Sequence, residues 1–258
     1  MFNRPNQSEI PVPLAIQSLI EQGAVFFVSH SAGKDSQAAF LVISAHVPPD
    51  QLVVVHAHLR RAAWPGAIEH IEDTTGTTVH VVAAELDLLE MVERRERWFS
   101  PRYRYCTSDA KRAPIDKFIR AEMTRRGATL GVDCTGLRAD ESRDRARKPI
   151  FKRLDRLCTR SRTVFAWLPI HGFTEVDVFA TIEGAGQQPI YAYGLGNRRF
   201  SCVFCVMGCG GDLLNGAVRN PRLLKDYDAV ERSTGHTLFL HNGKPIRLVD
   251  RVERLAAR

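Results

Sequence analysis

The 258 residues predict an α/β protein, a mostly parallel sheet with helices on both faces. Three observations carry that expectation. Short apolar runs recur through the first half, each of strand length. Helical patterns separate them. No internal repeat or low-complexity linker breaks the alternation, and alternation of this kind argues for a parallel sheet covered by helices.

The elements follow in order. Residues 24–28 form an apolar, aromatic-rich run, and 52–56 a second. Residues 78–82 and 129–132 give a third and fourth, all too short for buried helices. Between them, 37–46 is strongly apolar and opens just after a turn. Residues 86–98 carry apolar side chains on one face and Glu and Arg on the other. Residues 114–126 place Ile115, Phe118, Ile119 and Met123 at helical spacing, with Pro114 near the start and Gly127 at the end. The second half is less regular. Residues 138–162 are dense in Arg and Lys and poor in apolar groups, which predicts an exposed or substrate-facing segment. Strand character resumes at 163–169. Thr174 followed by Asp177 resembles a capping box opening a helix through Ile182. Residues 221–235 form a last helical pattern.

Length allows one to two domains of roughly 150 residues. We read an α/β domain over 1–198 and a helical, cysteine-containing C-terminal subdomain over 199–258. Hydrophobic residues make up 44% and charged residues 25%, which is ordinary globular composition and excludes a disordered tail protein. No apolar run reaches the roughly 18 residues of a membrane span. The start, Met1-Phe2-Asn3-Arg4-Pro5, lacks the charged-then-apolar pattern of a signal peptide, so a cytoplasmic protein is expected. Thirty-six Lys and Arg against 29 Asp and Glu leave a net +7, compatible with a polyanionic partner. Six cysteines in a cytosolic chain of this size predict metal ligands or catalytic groups wherever they cluster.

The strongest signal is Ser31-Ala32-Gly33-Lys34-Asp35-Ser36, where a buried strand runs into a small-residue turn that opens a helix. Such a turn offers backbone N–H groups and two hydroxyls at a helix N-terminus, where the dipole favours anions. Gly33 permits close approach, Lys34 can pair with phosphate, and Asp35 can hold a Mg2+ ion bridging phosphates. This is not a Walker A loop, which places a glycine where Val28 stands and a hydroxyl residue where Asp35 stands. A solvated strand–helix turn is the bland alternative.

The hexapeptide resembles the pyrophosphate loop of the PP-loop ATP pyrophosphatases, in the branch that contains the 3′-phosphoadenylylsulfate (PAPS) reductases. Further matches follow along the chain. They are Val55-His56-Ala57, Trp64-Pro65-Gly66, Arg104-Tyr105-Cys106-Thr107 with Lys111, the segment from Gly136 through Arg138 and Glu141 to Ser142, Trp167-Leu168-Pro169-Ile170, and Arg199 to Cys205. Within the branch, the late Cys-x-x-Cys looks most like the sulfurtransferases of DNA phosphorothioation, the DndC- and SspD-like proteins. The resemblance implies an adenine nucleotide alpha hydrolase-like fold and cleavage of ATP between its α and β phosphates. It implies nucleotide contacts at Ser31, Gly33, Lys34, Asp35, Ser36, His56, Arg138, Glu141 and Arg143. It also implies catalytic roles for Asp35, Lys34 and Cys106. One departure stands out. Relatives tend to carry acidic residues where this chain has His58 and Ala63, with Arg60 and Arg61 between.

Cys202, Cys205 and Cys209 follow the spacing Cys-x2-Cys-x3-Cys, and the family pattern places Cys106 beside them. Three or four thiolates suit tetrahedral zinc or an iron–sulfur cluster. Zinc ribbons bring two knuckles and only one is present, so a cluster of the 4Fe–4S type is favoured, as the resemblance also implies. A redox dithiol or two buried structural cysteines are the alternatives. Cys134 reads as core and Cys158 as an incidental thiol.

Arg94, Arg95, Arg97, Arg102 and Arg104 alternate with Trp98, Phe99, Tyr103 and Tyr105. That pattern suits a nucleic-acid backbone with unstacked bases, or else a solvated helix face in which Glu90, Glu93 and Glu96 offset charge. Arg145, Arg147, Lys148, Lys152 and Arg153 could also face DNA or RNA. His171 is a candidate site neighbour or a structural histidine. The reaction expected is adenylation of a nucleic-acid oxygen by ATP, then replacement of that oxygen by sulfur, with DNA preferred over RNA. A tRNA thiolation enzyme, a PAPS reductase and a nucleic-acid-binding module with structural zinc are the alternatives. A cysteine desulfurase or another sulfur donor is the expected partner, and a homodimer stays open.

Overall fold

A computed structural model describes residues 12–257; the Met1–Pro5 stretch read above for a leader lies outside the described residues. The helices are α1 (Leu14–Glu21), α2 (Lys34–Ser44), α3 (Ala67–Thr75), α4 (Leu88–Arg95), α5 (Tyr105–Thr107), α6 (Ala113–Arg126), α7 (Arg143–Ala146), α8 (Glu175–Gly184), α9 (Tyr191–Gly194), α10 (Gly210–Arg219), α11 (Pro221–Thr234) and α12 (Leu248–Ala256). The strands are β1 (Val25–Ser29), β2 (Leu52–Ala57), β3 (His80–Val82), β4 (Leu130–Thr135), β5 (Phe151–Arg153), β6 (Thr163–Trp167), β7 (Phe239–His241) and β8 (Lys244–Ile246).

The chain divides into two compact units. The first takes the described residues up to Ala57 with Gly66–Val82 and Ile115–Ile190. The second takes His58–Pro65, Ala83–Pro114 and the chain from Tyr191 on. Its last segment begins near the boundary expected at 198/199, but 58–65 and 83–114 also belong to it.

In the first unit, six strands run in the order β3-β2-β1-β4-β6-β5, parallel except for β5, which pairs antiparallel with β6. This is the expected mostly parallel α/β sheet. Buried on both faces, β1 reads as an unbroken apolar run rather than an alternating one. The Phe27 ring meets Phe118 edge-on at 6.4 Å, within a cluster that adds Ile119 and Met123 of α6. Its neighbour Phe26 meets Trp167 instead, at 6.3 Å. A separate cluster joins Ala38, Leu41 and Val42 of α2 to Val178 and Ile182 of α8. The Thr174 capping box forms as read: the Asp177 N–H donates to its hydroxyl, and Asp177 accepts its N–H. The basic segment 138–162 is mostly exposed, as expected, but it contains the short strand β5 and buries Leu154 and Leu157.

The second unit is held by its own core, in which Trp98 stacks on Tyr227 and Phe204 meets Tyr227 edge-on. The Trp98 indole N–H donates to the His236 carbonyl at 2.8 Å.

Truncating Phe27 to Ala removes a fully buried ring at the sheet centre, an expected cost of about 3–5 kcal/mol. Val81→Ala, at an exposed position on β3, is expected to cost under about 0.5 kcal/mol. Urea unfolding of both variants checks the contrast.

Candidate functional site

The loop at 31–36 joins β1 to α2, so a strand buried on both faces delivers it to the open N-terminal end of a helix. No side chain caps that end, and Gly33 stands at the cap position. The two serines lock the turn. The Ser31 N–H donates to Ser36 Oγ at 3.1 Å, and Ser36 Oγ donates to the Gly33 carbonyl at 2.8 Å. Ala32 adopts φ 63°, the left-handed region, where a Cβ costs about 1–2 kcal/mol. Its N–H donates to His30 Nδ1 at 3.1 Å. His56, at the end of β2, donates from Nδ1 to the His30 carbonyl at 2.8 Å, and so lies under the loop.

The segment after β4 closes on this loop. A methyl group on Gly136 would sit 2.4 Å from the Asp35 carbonyl oxygen, so only glycine admits the approach. Two residues on, Arg138 is 4% exposed and donates from Nε to Asp35 Oδ1 at 2.7 Å. Lys34 Nζ lies 3.1 Å from Asp35 Oδ2 and 3.3 Å from Glu175. Arg138 also pairs with Asp140 at 3.0 Å. Both Asp35 oxygens therefore face cationic side chains, and the carboxylate expected to hold Mg2+ is occupied by Arg138 and Lys34. Glu141 accepts the Arg138 N–H at 3.1 Å and pairs with Arg145. Arg143 is exposed on α7, and the arginine on Glu141 is its neighbour one half-turn further along. The sequence reading did not name Glu175, Asp140 or His30 as site members, although Asp140 lies within the Gly136–Ser142 motif, and it set Arg145 toward nucleic acid. The i,i+4 spacing of Arg145 from Glu141 is the signal for the pair they form.

His171 is buried and pairs through Nε2 with the Arg145 carbonyl at 3.0 Å, the structural alternative. His30 is fully buried and near His56 and His70. Desolvation, followed by those two rings, holds its pKa down at about 3, so it is a neutral acceptor at physiological pH.

The cysteines lie in the second unit. Cys202 is buried, with Cys205 and Cys106 packed in the same cluster. The Cys202 thiol, then Ser201, the Met207 N–H and Lys111 draw the Cys205 pKa down to about 5, so Cys205 is a thiolate with Cys202 as donor. Cys106 is near enough for its charge to act on Cys202, and burial pushes its own thiol up. Cys106 and Lys111 flank the turn where α5 passes into α6 through a π-helical stretch at Ser108–Arg112, a bulge frequent at functional sites. The Tyr227 hydroxyl is fully buried, lacks a hydrogen-bond partner, and is pushed up by burial and by the nearby Cys202, Cys205 and Cys106. Cys209 instead stands at the N-cap of α10, its N–H bonded to Asp212 at 2.9 Å.

Three sulfurs and a buried hydroxyl donor have the chemistry of a thiophilic centre. Among the described residues, no three His, Cys, Asp or Glu are placed to hold a metal ion.

Cys134 is core in β4, as expected. Cys158 accepts hydrogen bonds from the Val164 N–H at 3.3 Å and from Arg153 Nε at 3.4 Å. In the same unit as the cysteines, the Arg97 guanidinium lies 3.7 Å from the Tyr103 ring centre, and Arg95 stacks on Tyr105 while pairing with Asp109. Arg61, near the missing acids at 58 and 63, takes Asp87 as its carboxylate partner at 2.6 Å.

The family model for the phosphoadenosine phosphosulfate reductase domain matches residues 25–208, more than half of the chain, and the protein belongs to that family. No curated protein matches the sequence. Among solved structures, the phosphoadenylyl-sulfate (PAPS) reductase of Candida auris, in a phosphate complex, is similar at TM-score 0.51 and 12% identity, over 76% of this chain and 88% of that one. The FMN adenylyltransferase of Candida glabrata, with FMN and the ATP analogue AMPCPP, aligns at TM-score 0.44 and 11% identity, over 70% of this chain and 54% of that one. Among the described residues, no helix is long and apolar enough to cross a membrane.

Two outcomes are expected. Gly136→Ala forces the loop off β4 and is expected to weaken nucleotide binding at least about tenfold, roughly 1.4 kcal/mol, as read by calorimetry. His30 gains a proton on unfolding below pH 6.5 but stays neutral in the fold down to about pH 3. Stability is therefore lost as pH falls through that window, by at most about 1.4 kcal/mol per pH unit from this group. His30→Asn is expected to flatten that acid limb in urea titrations.

Proposed function

We propose that the protein is an ATP-dependent sulfurtransferase that adenylates a nucleic-acid oxygen, the DNA backbone phosphate first, and replaces it with sulfur. The observation that carries this reading is the grouping of Cys106, Cys202 and Cys205 around one core, in a chain that also builds a phosphate-type loop clamped by Arg138. Sulfonucleotide reduction alone leaves the stacked Arg97–Tyr103 and Arg95–Tyr105 pairs without a role.

The chemistry proceeds in two displacements. A phosphate oxygen attacks the α-phosphorus of ATP, the bond to the β-phosphate oxygen breaks, and pyrophosphate leaves. Loop N–H groups, Lys34 and Arg138 stabilise the charge that develops on the departing group. AMP, a good leaving group, now sits on the former oxygen. A sulfane sulfur delivered to Cys205 as a persulfide attacks the activated phosphorus, and the bond to AMP breaks. Cys202 then attacks the Cys205 sulfur, which frees the phosphorothioate and leaves a Cys202–Cys205 disulfide for a thiol reductant to reopen. A cysteine desulfurase fits the role of donor, and Mg2+ accompanies ATP. The family resemblance implies instead a 4Fe–4S cluster on Cys106, Cys202, Cys205 and Cys209, in which case those thiolates would hold the cluster rather than carry sulfur themselves; iron and acid-labile sulfide after anaerobic purification distinguish the two routes.

A second reading has a specific observation behind it. The PAPS reductase domain match and the same cysteine pair suit attack of Cys205 on a sulfonucleotide sulfur, with Cys202 resolving the product.

The test is release of AMP and pyrophosphate from ATP with DNA, with tRNA and with no acceptor, alongside sulfite release from PAPS. DNA-stimulated AMP release is expected, falling at least about 100-fold in Ser31→Ala and Asp35→Ala. Unchanged turnover in those variants sinks the site assignment. Stimulation by tRNA alone, or sulfite from PAPS, transfers the protein to the corresponding alternative.

A further inference from the structure

We propose that His30 is a positioning residue for the phosphate loop, its Nδ1 accepting the Ala32 N–H so that an alanine can occupy the left-handed position on which the loop depends. The proposal rests on the nucleotide reading above and deepens it.

Four described non-glycine residues have positive φ: Ala32, Arg60, Glu96 and Asn242. The last three are exposed. Ala32 alone is fully buried, so its strain is not relieved by moving into solvent. Something local must hold it. The nearest bond is the one from its own N–H to the ring two residues back, an imidazole version of the turn that Asn and Asp side chains make with the backbone.

His30 is fixed on its other sides. Its N–H donates to the Val55 carbonyl at 2.9 Å, and its carbonyl accepts from His56 Nδ1 at 2.8 Å. The His30 backbone therefore hangs from β2 on both of its polar groups, which fixes the point from which the buried ring reaches the loop. An imidazole that accepts at Nδ1 carries its proton at Nε2, and that nitrogen is buried with no partner. A buried donor left unsatisfied is unfavourable, so the ring is not placed there for its own stability. What it provides is an acceptor at Nδ1, aimed at the one strained residue of the loop. Release of that bond lets Ala32 turn back to negative φ. The Gly33 and Lys34 amides that follow then leave the axis of α2, where an anion would meet them.

The test is calorimetric binding of pyrophosphate and ATP to the full chain carrying His30→Leu, His30→Asn, Ala32→Gly, and His30→Leu with Ala32→Gly, with urea midpoints measured in parallel. His30→Leu is expected to weaken pyrophosphate binding about tenfold. His30→Asn is expected to stay within about threefold of wild type, because the Asn oxygen accepts the same N–H. In the Ala32→Gly background, where positive φ carries no Cβ penalty, the His30→Leu loss is expected to shrink below about threefold. Equal losses in both backgrounds, or an Asn variant as weak as Leu, overturn the proposal. If His30→Leu alone does not fold, recovery of folding and binding in the double variant supports it, and a double variant that also fails overturns it. A wild type that binds neither pyrophosphate nor ATP overturns the nucleotide reading, and the proposal with it. Binding by the wild type with additive losses overturns the proposal alone.

Discussion

Everything in the first unit's site depends on how closely the chain after β4 approaches the turn after β1. Gly136 lets the two backbones meet where a methyl group would collide with the Asp35 carbonyl. That approach brings Arg138 to Asp35 across 103 residues of sequence. From Arg138 the order spreads outward, to Asp140 and to the Phe173 carbonyl. Lys34 and Glu175 extend the same network from the other side. The result is two cations held in place by three carboxylates, next to the open end of a helix. Entering phosphates would exchange with carboxylates already arranged around the same cations, so little side-chain reordering is needed on binding.

The net charge of +7 has a more particular meaning once the arginines are located. Several are consumed structurally. Glu122 holds Arg125 and Arg126, which draw its pKa down to about 2, and Asp116 holds Arg156. Others lie on aromatic rings, as Arg97 does on Tyr103, which is 54% exposed. A ring that presents one face to an arginine and keeps an edge in water is an amphipathic contact point, suited to a partner carrying both charge and flat surfaces. Composition alone cannot separate these two populations, because both count as arginine.

Much of the frame was legible in the sequence. The strand runs at 24–28, 52–56 and 163–169 fall on β1, β2 and β6, because strands buried on both faces are written as apolar runs. Thr174 and Asp177 announced α8 through capping chemistry that is local by nature. What escaped was short or non-local. β5 is three residues, Phe151-Lys152-Arg153, at a sheet edge where only one face is covered, so its composition reads as basic loop. The β7–β8 hairpin turns on Asn242-Gly243, a clear turn pair, but its arms are too short to show a period. Tyr227 gave no signal, since a phenol beside thiols is distinguished by what surrounds it and not by its neighbours in sequence. The family motifs picked out Arg138, yet no local rule predicts its bond to Asp35. Cys209, picked out by cysteine spacing, also stands where α10 begins, a position that the spacing does not reveal.

The second unit is assembled from three separate stretches, and that has a consequence for synthesis. Leu88, Leu89, Val92 and Trp98 leave the ribosome long before Phe204, Leu223, Tyr227 and Leu248, the residues that share their core. At about 5–20 residues per second, more than 100 residues of chain separate the two groups, an interval of several seconds. During that time a greasy, arginine-flanked helix stands uncovered while β4, β5 and β6 are added to the sheet around β1 and β2. The nascent chain thus carries a waiting half-core, and its vulnerability to aggregation or chaperone capture is written into the order of the segments rather than into their composition.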